Sequence, residues 1–230
     1  MSDRRSENLE RLLRSTDQSE RLKTALEAGT YPQPEYIDLL VRRSAIEPDF
    51  YVREMLVWAL MRHDKSLVVE RLLPERQSEI PQARSQALHT FTKIDDKSFY
   101  DRIPTQLLFD AVDFVAMTAW RAAARLVPDD KKIELGNILI HQLGRGAFDV
   151  QHALSRAFLA IGEEIIGLLD GPSKSDDEKV REHAKFTLAI IADPWSERKL
   201  AEAFEMKIEV RTQQETLVGG EGFEPPTSSV

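Results

Sequence analysis

The sequence contains no cysteine, which excludes disulfide bridges, thiolate metal sites and a cysteine nucleophile. It also has no apolar run that approaches the length of a membrane span. The polar start, Met1 to Arg5, lacks the apolar stretch of an export signal, so we expect a cytoplasmic protein. With 230 residues the chain can bury a sizeable core, and neither disulfides nor metal are needed to hold it together.

The sequence has fewer basic than acidic residues. The 31 basic residues are outnumbered by 39 acidic ones, and the formal net charge is −8. This balance opposes general attraction to nucleic acid or anionic lipid, although a local basic patch remains compatible with it. We therefore expect no membrane association and disfavour nucleic acid as a partner.

What the sequence does contain is one apolar pattern that recurs five times. In each copy an anchor residue is followed by further residues, nearly all apolar, at offsets of four, eight and eleven, which lie on one stripe of an α-helix. The anchors are 31, 32, 35 and 30 residues apart (83−52, 115−83, 150−115, 180−150). The five seams are Val52, Leu56, Leu60 and His63; Ala83, Ala87, Phe91 and Ile94; Val115, Ala119, Ala123 and Leu126; Val150, Leu154, Phe158 and Ile161; and Val180, Ala184, Leu188 and Ile191.

A shorter apolar segment lies between consecutive seams and predicts a partner helix. Pro74 and Pro104 should bend or end the segments in which they lie. No alternation of period two is long enough to predict a strand. We therefore predict an all-α protein, an α-α superhelix of about five or six helical hairpins. The four segments lie at 67–73, 103–108, 133–143 and 165–169.

Tandem hairpins whose second helix begins Asp-x-x-Val-Arg resemble the HEAT repeat family. Asp49-Phe50-Tyr51-Val52-Arg53 and Asp177-Glu178-Lys179-Val180-Arg181 carry the resemblance, which covers roughly residues 17 to 195. The short period is similar to that of compact bacterial repeats, including the bilin lyase type. Ala116 and Gln151 depart from the family's Arg, and Ile80 departs from its Asp. The resemblance implies that the Val-Arg helices line a concave surface; an unrelated helical bundle is the alternative.

We assign residues 1–210 to the repeat domain. Within it, residues 1–47 are predicted to form a less regular N-terminal unit and residues 195–210 a capping helix. Residues 211–230 are rich in Gly, Pro and Ser and are predicted to be disordered. Because Gly222-Phe223-Glu224-Pro225 can be encoded by DNA that resembles the T-arm of a transfer RNA gene, this tail is interpreted as a possible read-through product.

The seam helices carry candidate binding residues at offsets six and ten, which lie side by side away from the seam. Five cations and no anion occupy these two rows, with a Trp at one end. Such a surface suits an acidic peptide or a phosphate group. The alternative is a set of solvated helix faces, in which basic residues near helix C-termini only complement the helix dipole. The candidate residues are Trp58, Arg62, His89, Lys93, Arg121, Arg125 and Arg156, and the rows also include Ala160, Phe186 and Ile190.

No convergent set of catalytic residues is visible, and we predict no enzyme activity, no cofactor and no metal site. His63 lies on a seam and is interpreted as a hydrogen-bonded core residue; metal binding by His152 and His183 would need a third ligand. Trp120, beside its seam, is expected to pack between repeats. The predicted function is a protein-interaction scaffold that binds an acidic segment of a partner. The alternatives are nucleic-acid binding of the DNA alkylation repair type and a chaperone or lyase similar to bilin lyases.

Overall fold

Every regular element that the structure describes is a helix. The computed structural model describes residues 2–219, with side chains for residues 4–212, and no strand occurs in that part of the chain. Within it, no helix is both long and apolar enough to cross a membrane. The α-helices are α1 Ser2–Leu13, α2 Gln18–Thr30, α3 Tyr36–Ser44, α4 Phe50–Leu60, α5 Lys65–Leu72, α6 Pro81–Ile94, α7 Asp113–Leu126, α8 Lys132–Leu139, α9 Phe148–Ile161, α10 Ile166–Leu169, α11 Glu178–Ala192 and α12 Glu197–Gly219. Shorter 3-10 helices are Pro74–Gln77, Lys97–Arg102, Thr105–Phe109, Asp129–Lys131, Ile140–Gln142, Glu163–Ile165, Pro172–Lys174 and Pro194–Ser196.

The chain divides into two compact units, residues 1–141 and 142–230. In the first unit the hairpin pairs are α1 with α2, α3 with α4, and α5 with α6, and α7 packs on the 3-10 helices that precede it. In the second unit α11 packs against α9, α10 and α12. The predicted all-α class with repeated helical hairpins is confirmed.

The seams predicted from the repeat are buried in the core. Every residue of the first four seams is buried, and in α11 Ala184 and Ile191 are buried while Val180 and Leu188 are half-buried. His63 is a core residue, as predicted, with Nδ1 lying 2.8 Å from the carbonyl oxygen of Ala59. Because the seams repeat at a constant phase, each unit builds its core from the same helix positions.

The two aspartates that open the Asp-x-x-Val-Arg motifs are helix caps. The Asp49 carboxylate accepts a hydrogen bond from Val52 N at 2.9 Å, and the Asp177 carboxylate accepts one from Lys179 N at 2.8 Å. Asp110 does not cap α7. Its carboxylate instead accepts from Val112 N at 2.9 Å and binds Arg84.

The partner segment at 103–108 is not an α-helix, in contrast to its prediction. Two 3-10 helices, Lys97–Arg102 and Thr105–Phe109, flank Pro104, which has no N–H to donate and adopts an extended conformation. Pro74 starts a 3-10 helix directly after α5, as expected from its ring. The indole of Trp120 is fully buried and donates a hydrogen bond to the carbonyl of Leu108 at 2.8 Å, so this 3-10 segment still covers α7.

The arginine in the first turn of four of the repeat helices has a constant structural role. Its Nη1 donates to the backbone carbonyl six residues earlier, and so ties the start of the helix to the preceding turn. We call this arginine contact the arginine hook. Gln151, which replaces Arg in α9, makes a similar contact and donates to the carbonyl of Gly146 at 3.0 Å. The arginine hook occurs from Arg21 to Ser15 at 3.0 Å, from Arg53 to Glu47 at 3.0 Å, from Arg84 to Ser78 at 2.8 Å and from Arg181 to Ser175 at 2.6 Å.

Arg21 extends the repeat into the segment predicted to be less regular. Asp17 caps α2 through Ser19 N at 2.8 Å, and Arg21 makes the hook, as in the later units. Arg21 also pairs with Glu47, and Arg84 pairs in the same way with Asp110, each across 26 residues of sequence. Such pairs link successive hairpins of the first unit.

Candidate interaction face

Six of the seven candidate residues lie in the first unit. They occupy the outward side of α4, α6 and α7 and, for Arg62, the turn after α4, and we call this set the basic face. The seventh, Arg156, lies on α9 in the second unit and is described with that unit. The basic face consists of Trp58, Arg62, His89, Lys93, Arg121 and Arg125.

Trp58 gives the basic face its apolar area. Its side chain is 39% exposed and packs on Gly29 of α2, where an added Cβ would lie 2.4 Å from Cζ3 of the indole. Only a glycine allows this close approach. The Arg62 guanidinium lies 6.0 Å from the centroid of the Trp58 ring, within cation-π distance, and is exposed. The two residues therefore offer an apolar ring and a charge side by side.

His89 and Lys93 share one carboxylate, that of Glu54 on α4. His89 Nε2 lies 2.9 Å from Glu54 Oε1, although not in the alignment of a hydrogen bond, and Lys93 Nζ lies 3.7 Å from Glu54 Oε2. Burial lowers the pKa of His89, and the nearby Arg121 and Lys93 lower it further, while Glu54 opposes them. At neutral pH His89 is therefore uncharged, and it adds a polar ring rather than a cation.

Arg125 and Arg121 differ in what they bind. Arg125 forms a two-pronged ion pair with Asp95, with distances of 2.8 and 2.6 Å. Asp95 ends α6 in the left-handed conformation, at φ 54°, where Asp is tolerated. Arg121 is exposed, and no ion pair or hydrogen bond joins it to any residue from 4 to 212, whose side chains the structure describes. Arg121 affects the face only through its charge, which lowers the pKa of His89.

The face is thus less uniformly positive than the sequence suggests. Glu54 and Asp95 lie among its cations and neutralise part of the charge. Neither belongs to the rows at offsets six and ten, so the sequence pattern did not predict that they lie on the face. Glu54 stands at offset two, on the same side of the helix as offset six. Asp95 precedes its partner Arg125 by 30 residues, close to the repeat period.

In the second unit the equivalent rows are covered on α11, whereas Arg156 and Ala160 of α9 are exposed. Phe186 and Ile190, predicted to lie on an exposed face, are buried under α12, with the rings of Phe186 and Phe204 stacked at 4.2 Å. Ala201 and Ile208 of α12 complete this cluster. The last helix was predicted at 195–210; it begins at Glu197 and extends to Gly219. The predicted tail at 211–230 therefore begins inside a helix, and its part from residue 220 lies outside the described residues.

Arg156 contacts the first turn of α12. Its Nε lies 3.3 Å from Glu197 Oε1, and His152 Nε2 lies 3.0 Å from the same oxygen. The ring of Phe148 stacks on His152 at 5.4 Å, whereas Phe114, in the first turn of α7, is exposed. Arg156 remains exposed, but it already has a carboxylate partner within the chain, unlike Arg62 and Arg121.

His183 and Ser155 form the one buried histidine-hydroxyl pair of the second unit that the described residues show. His183 Nε2 lies 3.0 Å from Ser155 Oγ, and Nδ1 accepts a hydrogen bond from Gly144 N at 3.0 Å. Ser155 Oγ lies 2.7 Å from Thr187 Oγ1. His183 and Ser155 are fully buried, and burial lowers the pKa of His183 to about 3. Both ring nitrogens are engaged, so this pair is a hydrogen-bonded core element that links α9 to α11.

The comparisons with known proteins add no family. No protein-family model matches the chain, and no curated protein matches it. Three crystal structures of engineered proteins from the Northeast Structural Genomics Consortium align with it, with TM-scores of 0.45, 0.44 and 0.44 and identities of 18%, 20% and 21%. They cover 81%, 81% and 94% of this chain, and 98%, 96% and 64% of their own. Because these TM-scores are low, the class of the protein, an all-α protein of repeated helical hairpins, rests on its helices and their packing.

Proposed function

We propose that the protein is a non-catalytic binding protein whose basic face holds an acidic segment of a partner protein. The observation that carries this proposal is the exposure of Arg62 and Arg121, neither of which has a carboxylate partner among the described residues. A guanidinium group binds carboxylates through two parallel hydrogen bonds. The half-exposed ring of Trp58 beside Arg62 supplies apolar area of the kind that anchors protein partners.

The charge distribution favours a peptide over a nucleic acid. Glu54 and Asp95 stand among the cations of the face, where they would repel a continuous phosphate backbone. A peptide can place neutral or basic side chains opposite these two carboxylates and acidic ones opposite Arg62 and Arg121. The resemblance to HEAT repeats supports the same choice of surface, since it implies that α4, α6 and α7 line the concave side.

Charge reversal on the face tests the proposal. The probe is a fluorescein-labelled peptide of Glu and Leu in equal number, and its dissociation constant is measured by fluorescence anisotropy on the full-length protein. Arg62→Glu together with Arg121→Glu should raise that constant about tenfold or more, or about 1.4 kcal/mol, with an unchanged melting temperature because both side chains are exposed.

The matched control combines Arg14→Glu with Arg198→Glu. Both arginines are exposed and form only pairs with a residue four positions away, so the net charge changes equally without altering the face. This control should bind like the wild type. Equal loss in control and face variant would reduce the effect to net charge and refute the proposal. A labelled single-stranded oligonucleotide that bound more tightly than the peptide, and was lost on the face variant, would replace the peptide with nucleic acid.

A further inference from the structure

In the second unit one helix covers part of the positions that are open in the first. α12 lies across α9 and α11 and contacts α9 at offsets two and six and α11 at offsets six and ten from their anchors, while Ala160, at offset ten of α9, is exposed. On α9 these contacts are His152 and Arg156, which meet Glu197, and on α11 they are Phe186 and Ile190, which pack with α12. The seam helices α9 and α11 thus accept a helix across their outward side.

The residues of α12 that make the contact follow helical spacing. Glu197 lies in the first turn and provides the carboxylate; Ala201, Phe204 and Ile208 lie four, seven and eleven positions later and form a single buried stripe. The exposed residues Met206 and Val210 lie on other sides of the helix. An extended strand, in which alternate side chains point to opposite faces, could not present residues at these spacings to one surface.

The first unit offers the same offsets without a covering helix among its described residues. On α4 and the turn after it they hold Glu54, Trp58 and Arg62, and on α7 offsets six and ten hold Arg121 and Arg125. Close-packed helix axes lie roughly 8–10 Å apart, as α6 and α7 do, while α4 reaches α6 through the Glu54–His89 contact, so a segment from α4 to α7 spans about 16–20 Å or more. At 1.5 Å per residue, a helix of roughly 11–13 residues covers that distance.

We infer that the partner segment is an amphipathic α-helix of the same design as α12, with carboxylates at one end for Arg121 and an apolar stripe that covers Trp58. This inference rests on the proposed function, because it specifies what occupies the basic face. α12 is the counterpart of this segment within the chain. The Glu197 carboxylate of α12 contacts both Arg156 and His152, and Phe204 follows two turns later.

The test compares two labelled peptides on the full-length protein. The first spans residues 196–211 with Arg198→Glu, Lys199→Glu and Lys207→Glu, which keeps the buried stripe of α12 and makes the peptide acidic. The second also carries Ala203→Pro. Ala203 is exposed on α12, so this change breaks the helix without altering a contact residue. We expect the first peptide to bind about tenfold or more tightly than the second and to gain helical circular dichroism on binding.

The same measurements are repeated on the variant with Arg62→Glu and Arg121→Glu. Loss of the first peptide on this variant supports the inference. Retained binding would mean that the peptide displaces α12 from α9 and α11, and it would overturn the inference. Equal binding of both peptides to the wild type, with loss on the variant, would overturn the helical partner and leave the proposed function standing. Failure of both peptides and of the Glu-Leu probe would refute both.

Discussion

At the scale of single residues, the arginine hook explains why an arginine recurs in the first turn of the repeat helices. The guanidinium group has donors on several sides, so Arg21 and Arg84 bind a preceding carbonyl with one side and a carboxylate of the next hairpin with another. Gln151 preserves a carbonyl contact, whereas Ala116 has no side-chain donor. The conspicuous arginines of the motif are therefore structural, and the arginines free to bind a partner lie later in the helices.

The buried ion pair of the first hook gives the clearest stability prediction. Glu47 is fully buried and accepts two hydrogen bonds of 2.9 Å from Arg21 and others from Arg43. Arg21→Met should cost about 3–5 kcal/mol of unfolding free energy, because the buried Glu47 carboxylate loses one of its positively charged partners. Urea denaturation measures the loss. Arg14→Met, which removes an exposed pair with Glu10, should cost no more than about 1 kcal/mol, and equal losses would contradict the role given to Glu47.

Because His183 is buried, we expect the unfolding free energy of the protein to fall in mild acid. Burial lowers the pKa of His183 to about 3, while a histidine in the unfolded chain titrates near its ordinary value of about 6.5. Below that value the unfolded state binds a proton that the folded state does not, so stability falls as the pH falls. Between about pH 7 and 5.5 the contribution amounts to roughly 1 kcal/mol.

The variant His183→Gln tests the origin of this pH dependence. It cannot take up the proton, so its unfolding free energy should change less between the two pH values than that of the wild type, by roughly 1 kcal/mol. Urea denaturation at both pH values gives the comparison. The variant is expected to be less stable throughout, because the hydrogen bonds to Gly144 and Ser155 are altered. An undiminished pH dependence would assign the effect to other groups.

At the scale of elements, sequence periodicity predicted the inner side of each helix and not what covers the outer side. The seams, the caps Asp49 and Asp177 and the core role of His63 follow from spacing and local chemistry, which the sequence contains. The burial of Phe186 depends on where α12 lies, and the pairing of Arg125 with Asp95 depends on the stacking of α7 on α6. Both are contacts between elements, and an offset counted along one helix does not define them.

The packing of α12 leads to a prediction for that helix alone. Its cluster of Ala201, Phe204 and Ile208 with Phe186 is distinct from the main core of the first unit. Phe204→Ala removes the stacked ring and should cost about 3–5 kcal/mol of local stability. Hydrogen exchange should then show loss of amide protection along α12 and retained protection in α4 and α6. Met206→Ala, at a 60% exposed site of the same helix, is the control and should leave protection unchanged; equal loss in both would contradict this packing.

At the scale of the whole molecule, the net charge and the basic face act in opposite directions. The chain carries a formal charge of −8, which repels an acidic ligand at long range, while Arg62 and Arg121 attract it at contact. Salt screens the two effects at different distances, because the Debye length is about 30 Å at 0.01 M and about 10 Å at 0.1 M. Raising salt over this range should weaken the long-range repulsion more than the contact attraction.

The association rate constant of the acidic Glu-Leu peptide should therefore rise, or at least not fall, between about 0.01 and 0.1 M salt, in contrast to ordinary attraction between opposite charges. Stopped-flow anisotropy measures it, and a peptide with Gln in place of Glu should be insensitive to salt over the same range. Above about 0.5 M the contact attraction is screened as well, and dissociation should become faster. A steep fall of the association rate from the lowest salt upward would mean that the ligand approaches a field more positive than Arg62 and Arg121 provide, and the binding surface would then have to include other cations of the chain.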